Sequence, residues 1–135
     1  MAQTPKYPLT DVMPLIEECV FSAASCSTYA VIAVFRQQGG NLTQDQAEEW
    51  IRKELKQLKN TDFFQRTIQW GVIVADVYGK VITGQSWYIK FIIEDGRLDS
   101  ISFHPSEKDM VLQSGTKLNK GNFYYDDKSE MWRMR

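Results

Sequence analysis

The stretch DVYGKVITGQSWYIKFIIEDGRLDSISFHP, which runs from Asp76 to Pro105, decides the fold of this chain. It is rich in β-branched and aromatic residues, and it contains two short interruptions with the composition of turns. The period of the apolar residues is two, as in a half-buried strand. The stretch therefore predicts an antiparallel meander with strands over about 71–78, 86–93 and 97–103.

The register of the last two strands decides which side chains share a face, because a slip of one residue turns every side chain over. A two-residue turn at Asp95-Gly96 would place His104 beside Trp87 and mix apolar with polar residues on both faces. We predict instead a three-residue loop, with Gly96 at a left-handed bulge position and Ile93 paired with Arg97. One face then collects apolar side chains: Trp87, Ile89, Phe91, Ile101 and Phe103. The other collects polar ones: Tyr88, Lys90, Ser100, Ser102 and His104.

The N-terminal half has helical periodicity. Helices are predicted over Thr10 to Glu18, Ala23 to Gln38, and Thr43 to Lys59. Thr10 and Ser22 are the expected caps of the first and second helices, and Thr43 with Gln46 forms a capping box for the third. Three helices followed by strands predict an α+β fold, with the helices packed on one face of an antiparallel sheet. The tryptophans Trp50, Trp70 and Trp87 are expected in the core.

A chain of 135 residues is expected to form one domain. Residues 1–108 form its predicted core, and residues 109–135 form a C-terminal extension whose structure the sequence leaves open. Within the extension, two short strand-like runs, 110–113 and 123–125, are separated by a turn sequence.

The composition of the chain argues against three classes of protein: general polyanion binders, metal-binding proteins, and secreted or membrane proteins. The formal net charge of −1 argues against a domain that binds polyanions over its whole surface, so any nucleic-acid contact must come from a local patch. One histidine, with Cys19 and Cys26 seven residues apart, provides no metal-ligand spacing. No secretory signal or membrane-length apolar run is visible, so we expect a cytoplasmic protein with no metal, cofactor or membrane, in which Cys19 and Cys26 are reduced, half-buried thiols.

From about Tyr7 to Lys108 the chain resembles the MqsR family of bacterial toxins, whose α+β fold is related to the RelE-like ribonucleases. The resemblance begins with the YPLTDVMPLI opening, which starts at Tyr7, and includes the run Asp62-Phe63-Phe64. Its most specific parts are Asp76-Val77-Tyr78, then Thr83-Gly84-Gln85 with Tyr88-Ile89-Lys90, and finally Ser102-Phe103.

The resemblance implies a metal-independent endoribonuclease that cuts mRNA and is neutralised by a cognate antitoxin protein. The family's catalytic tyrosine matches Tyr88, and its final lysine position carries His104. The lysine that follows the family's Asp-Phe-Tyr run is Gln65 here, with Arg66 beside it. The glutamine that precedes its Asp-Val-Tyr run is Ala75 here.

Cleavage of RNA without a metal requires removal of the 2′-hydroxyl proton, stabilisation of the phosphorane charge and protonation of the 5′-oxygen. His104 has a suitable intrinsic pKa for the proton steps, while Tyr88 and Lys90 can position and stabilise the phosphate. These three are the predicted catalytic residues, and the predicted RNA-binding residues are Arg66, Gln65 and Gln85. A non-catalytic module that binds protein or RNA on the same scaffold remains the alternative.

Overall fold

A computed structural model describes residues 3–18 and 20–135 of the chain and confirms the α+β class. Its helices are α1 (Leu9–Glu17), α2 (Ser25–Gln37) and α3 (Gln44–Leu55), and a single 3-10 turn spans Asn60–Asp62. The long strands are β2 (Phe63–Gln69), β3 (Ile73–Ile82), β4 (Gln85–Glu94) and β5 (Arg97–Pro105). The short strands are β1 (Phe21–Ala23), β6 (Met110–Val111), β7 (Lys117–Leu118), β8 (Phe123–Asp126) and β9 (Met131–Met134).

Two of the three predicted helix caps are wrong. Helix α1 follows Pro8, and Thr10 lies inside the helix rather than at its cap. Ser22 belongs to strand β1, so α2 begins three residues after it. The capping box of α3 is confirmed: the Thr43 hydroxyl accepts from the Gln46 amide at 3.2 Å, and the Gln46 side chain accepts from the Thr43 amide at 2.9 Å.

The central sheet has five strands in the order β1-β5-β4-β3-β2. Strand β1 runs parallel to β5, and the other neighbours are antiparallel. Sequence periodicity missed both edge strands. Each is difficult to recognise alone, because β1 has three residues and β2 mixes polar and apolar side chains without clean alternation.

The connection between β4 and β5 differs from the predicted loop. Asp95 and Gly96 both have positive φ, at 54° and 71°, and Glu94 pairs with Arg97, so the turn has two residues. The extra residue lies instead within β5: Phe91 pairs with Ser100, whereas Lys90 pairs with Ser102. The intervening Ile101 forms a β-bulge.

From Ser102 onward, the bulge places the side chains of β5 on the faces that we predicted. From Arg97 to Ser100, the side chains lie on the opposite faces. Ser102 and His104 share a face with Lys90 and Tyr88, as predicted. Ser100, predicted on the polar face, is paired with Phe91 and is 1% exposed.

The helices cover the face that carries Trp87, and together they form the main hydrophobic core. Its buried members from the sheet include Phe63, Tyr78, Trp87, Ile89, Phe91, Leu98 and Phe103, and those from the helices include Val12, Ile16, Val34, Ile51 and Leu55. Trp50 is partly buried against this core, and Trp87 is fully buried. The prediction for Trp70 is wrong, because Trp70 is 66% exposed at the tip of the β2–β3 hairpin.

The N-terminal segment is attached to the sheet by a buried carboxylate. Asp76 is 0% exposed, and its two oxygens accept from the backbone amides of Lys6 at 2.9 Å and Tyr7 at 2.8 Å. Burial raises the pKa of Asp76, while these two hydrogen bonds oppose the rise. The Tyr7 hydroxyl also donates to the Val74 carbonyl at 2.7 Å.

The C-terminal extension is folded onto the sheet. Its two predicted strand-like runs do not pair with each other. Instead β6 pairs with β7, and β8 pairs with β9. The amides of Gln113 and Asn122 donate to the Phe63 carbonyl and to the Gln85 side chain, which attaches the segment to strands β2 and β4.

We expect Asp76→Ala to lower the free energy of unfolding by about 2–4 kcal/mol, because the backbone amides of Lys6 and Tyr7 lose their charge-assisted hydrogen bonds to a buried carboxylate. The exposed Asp127→Ala should change it by no more than about 0.5 kcal/mol. Urea unfolding followed by circular dichroism measures both. Equal stability of the two variants would show that Asp76 does not hold the N-terminal segment.

Candidate active site

Tyr88 and His104 form the centre of the polar face. They are direct cross-strand partners on β4 and β5, and their rings stack with centroids 5.3 Å apart and planes 16° apart. The ring of Trp132, from strand β9, also packs against His104, with the two ring centroids 5.1 Å apart. The imidazole is therefore held between two aromatic side chains that are distant in sequence.

The environment of His104 sets its tautomer and its charge. Its Nδ1 atom lies 2.8 Å from the Pro105 carbonyl, and because a carbonyl can only accept, we assign the proton to Nδ1. Nε2 has no hydrogen-bond partner among residues 3–18 and 20–135. Burial lowers the pKa of His104 below its usual 6.5; the Pro105 hydrogen bond and Glu107 oppose this, and Lys90 adds to it. A neutral imidazole with Nε2 available can accept a proton.

Two lysines flank Tyr88. The Nζ atoms of Lys90 and Lys108 lie 6.0 and 5.9 Å from the centroid of its ring. Burial lowers the pKa of Lys90, and interaction with Cys26 opposes this change. Burial also raises the pKa of Tyr88, so its phenol stays protonated at neutral pH. The site thus combines a neutral base, a phenol and two amines.

The polar face is less open than its composition predicts. Met110, Leu112 and Leu118 form a second apolar cluster that packs against Tyr88 and Phe64. Met110 and Leu112 can pack this closely because the cross-strand neighbour of Tyr88 on β3 is Gly79, which has no side chain. A Cβ atom at Gly79 would lie 2.9 Å from the Met110 methyl group and 3.1 Å from Leu112. Tyr88 and His104 are consequently half-buried rather than exposed.

The three predicted RNA-binding residues lie in different places. Gln65 pairs with Val77, which pairs with Lys90, so it shares the face of Lys90 at a distance of two strands. Arg66 pairs with Asp76 and therefore lies on the opposite face, where its Nε donates to the Thr4 carbonyl at 2.7 Å. Gln85 is 5% exposed, and its side-chain oxygen accepts from the Asn122 amide at 3.0 Å. The structure thus does not bring Arg66 or Gln85 to the site.

A cavity of about 480 Å³ opens beside His104, between α2 and the β8–β9 hairpin. Its lining is mainly apolar and aromatic, with three charged side chains. Helix α2 contributes Cys26, Tyr29, Ile32, Ala33 and Arg36, and the C-terminal half contributes His104, Glu107, Tyr125, Glu130, Met131 and Trp132. Sequence reasoning missed this cavity, although the aromatic-rich runs FYYD and MWRM on either side of a polar turn were a signal for the hairpin that closes it.

Cys26 joins the cavity to the β-bulge. It lies in the first turn of α2, and its thiol donates to the Ile101 carbonyl at 3.6 Å. The side chain is exposed rather than half-buried as predicted. The same prediction for Cys19 lies outside the described residues.

Metal binding and membrane insertion can be assessed for the described residues. No group of three His, Cys, Asp or Glu side chains in residues 3–18 and 20–135 is arranged to hold a metal ion. Within the same ranges, no helix has the length and apolar character needed to cross a membrane.

We expect the free energy of unfolding to fall as the pH decreases from 6.5 through the lowered pKa of His104. In that window the unfolded chain binds a proton that the folded chain does not, so protonation favours unfolding. Because the chain has one histidine, His104→Gln should remove this component. Urea unfolding of both proteins at pH 7.5, 6.5 and 5.5 measures it. If wild type and His104→Gln differ in free energy of unfolding by the same amount at all three pH values, the result would contradict the burial of a neutral imidazole.

Comparison with known proteins assigns no family. No model of a protein family matches this chain, and no curated protein matches it. The resemblance to the MqsR toxins therefore stays a prediction based on the residue pattern quoted above.

Proposed function

We propose that this protein is a metal-independent endoribonuclease that cuts mRNA and acts as the toxin of a toxin–antitoxin pair on an MqsR-like scaffold. The observation that carries the proposal is the stack of Tyr88 on His104, with Nδ1 bound to a carbonyl and Nε2 available. A fixed tautomer and a lowered pKa suit a general base at neutral pH.

In the proposed reaction, the proton of the RNA 2′-hydroxyl passes to Nε2 of His104. The 2′-oxygen attacks phosphorus, and the bond from phosphorus to the 5′-oxygen breaks as that oxygen takes a proton from Lys90. The products are a 2′,3′-cyclic phosphate and a 5′-hydroxyl. The lowered pKa of Lys90 makes its ammonium a better proton donor than an exposed lysine.

The same side chains supply charge stabilisation. The Tyr88 phenol, which burial keeps protonated, can donate a hydrogen bond to a non-bridging phosphate oxygen. Lys108, above the same ring, adds a second cation near the phosphate. This local concentration of amines provides the patch that the near-neutral net charge of the chain requires.

A specific observation favours the second candidate, a binding module without catalysis. Met110, Leu112 and Leu118 cover part of the face that would meet the phosphate, and Arg66 and Gln85 are bound to the chain's own backbone. On this proposal the protein retains a partner-binding surface but does not cut RNA. A neighbouring reading frame that encodes an antitoxin-like protein would favour the toxin.

We expect His104→Ala to lower the rate of RNA cleavage about 10²–10⁴-fold, which is the usual contribution of general acid–base catalysis. Tyr88→Phe should cost less. Lys90→Ala should slow cleavage, whereas Lys117→Ala, which removes an exposed lysine outside the site, should not. Cleavage of a labelled RNA measures the rates, and circular dichroism verifies folding.

Imidazole added to His104→Ala distinguishes chemistry from structure, since partial rescue requires that only the base be missing. Equal cleavage by wild type and His104→Ala would remove His104 from the mechanism. A wild type that neither cuts RNA nor arrests growth when expressed would leave the binding module as the better proposal.

Excess EDTA should leave the cleavage rate essentially unchanged, because the proposed proton transfers and charge stabilisation use only side chains. The measurement is the single-turnover rate with and without chelator at constant ionic strength. Loss of activity that magnesium or manganese restores would contradict this mechanism and require a metal-dependent one.

A further inference from the structure

We propose that the cavity between α2 and the β8–β9 hairpin is a nucleobase pocket, which receives a base of single-stranded RNA next to the scissile phosphate. This inference rests on the proposed function and deepens it. It assigns a substrate-binding role to the C-terminal segment, which lies beyond the stretch that resembles the toxin family.

The volume and the aromatic walls of the cavity suit a flat aromatic ligand. Its volume of about 480 Å³ exceeds that of a base. Tyr125 and Trp132 form one wall, with ring centroids 5.7 Å apart in an edge-to-face arrangement, and Tyr29 stands opposite on α2. Unstacked RNA bases are bound by aromatic side chains of this kind.

The rim of the cavity can read the edges of a base. Arg36 supplies hydrogen-bond donors, and Glu107 and Glu130 supply acceptors. Every base presents both donors and acceptors along its edges, so a mixed rim is more suitable than a wholly apolar one.

Charge complementarity favours a nucleotide over a free aromatic compound. His104 lines the cavity, and Lys90 lies close enough to influence the pKa of His104. Lys90 and Lys108 flank Tyr88, which stacks on His104. An aromatic cavity next to two amines matches a base joined through ribose to an anionic phosphate.

The first test is binding, separated from cleavage. The probe is a fluorescein-labelled RNA oligonucleotide with 2′-fluoro groups, which has no 2′-hydroxyl to attack. A control oligomer of the same length has abasic residues and keeps the phosphates. In fluorescence anisotropy we expect wild type to bind the base-bearing probe about 5- to 150-fold more tightly than the abasic one, the range for one stacked base.

Matched tyrosine variants locate that preference. Tyr125→Ala should remove most of it, and Tyr125→Phe should retain it because the ring remains. Tyr124→Ala is the control, since Tyr124 neighbours Tyr125 on β8 but does not line the cavity and contacts Arg135 instead. A second readout is alkylation of Cys26 by N-ethylmaleimide, followed by peptide mass spectrometry. The base-bearing probe should slow this reaction more than the abasic probe does.

The outcomes separate this inference from the proposed function. Equal affinity of wild type for the two probes, or equal loss in Tyr125→Ala and Tyr124→Ala, overturns the pocket even if the protein cuts RNA. A base preference that depends on Tyr125 supports the pocket even if wild type cuts no RNA, in which case the endoribonuclease proposal fails alone.

Discussion

The β-bulge at Ile101 is the constraint on which the rest of the site depends. A two-residue turn between β4 and β5 would by itself place Phe103 opposite Tyr88 and send His104 to the helix-covered face. One extra residue in β5 reverses this arrangement and makes His104 the direct partner of Tyr88. The pairing of β1 with β5 also ends at Ser100, where the bulge begins, and α2 starts from that point with its Cys26 thiol on the Ile101 carbonyl.

The C-terminal segment covers Tyr88 and His104, the two residues that the bulge pairs with each other. Its first hairpin packs Met110 over Gly79 and covers Tyr88, and its second places Trp132 on His104. Burial from these contacts lowers the pKa of His104 and raises that of Tyr88, so the two groups stay neutral at the pH where they would act. The cavity beside His104 exists because the second hairpin stands next to α2.

The shared face of Tyr88, Lys90 and His104 could be predicted, because alternation along two strands is a local property and the apolar residues left one acceptable parity. The exact pairing of residues between β4 and β5 could not be predicted. The predicted loop and the observed bulge give the same parity with registers two residues apart, and only packing against β1 and α2 distinguishes them. Arg66 and Gln85 were predicted from the resemblance to the toxin family, but both side chains form hydrogen bonds with backbone atoms of the terminal segments.

The sequence by itself determined the α+β class, the meander of β3 to β5, the capping box of α3 and the polar face that carries the three candidate catalytic residues. Those features depend on period, turn composition and neighbours in the chain. Tertiary structure alone decided the burial of His104, the cover over Tyr88 and the cavity. Each of these requires contact between residues far apart in sequence, such as His104 with Trp132, and no local pattern specifies which distant surface a short hairpin will pack against.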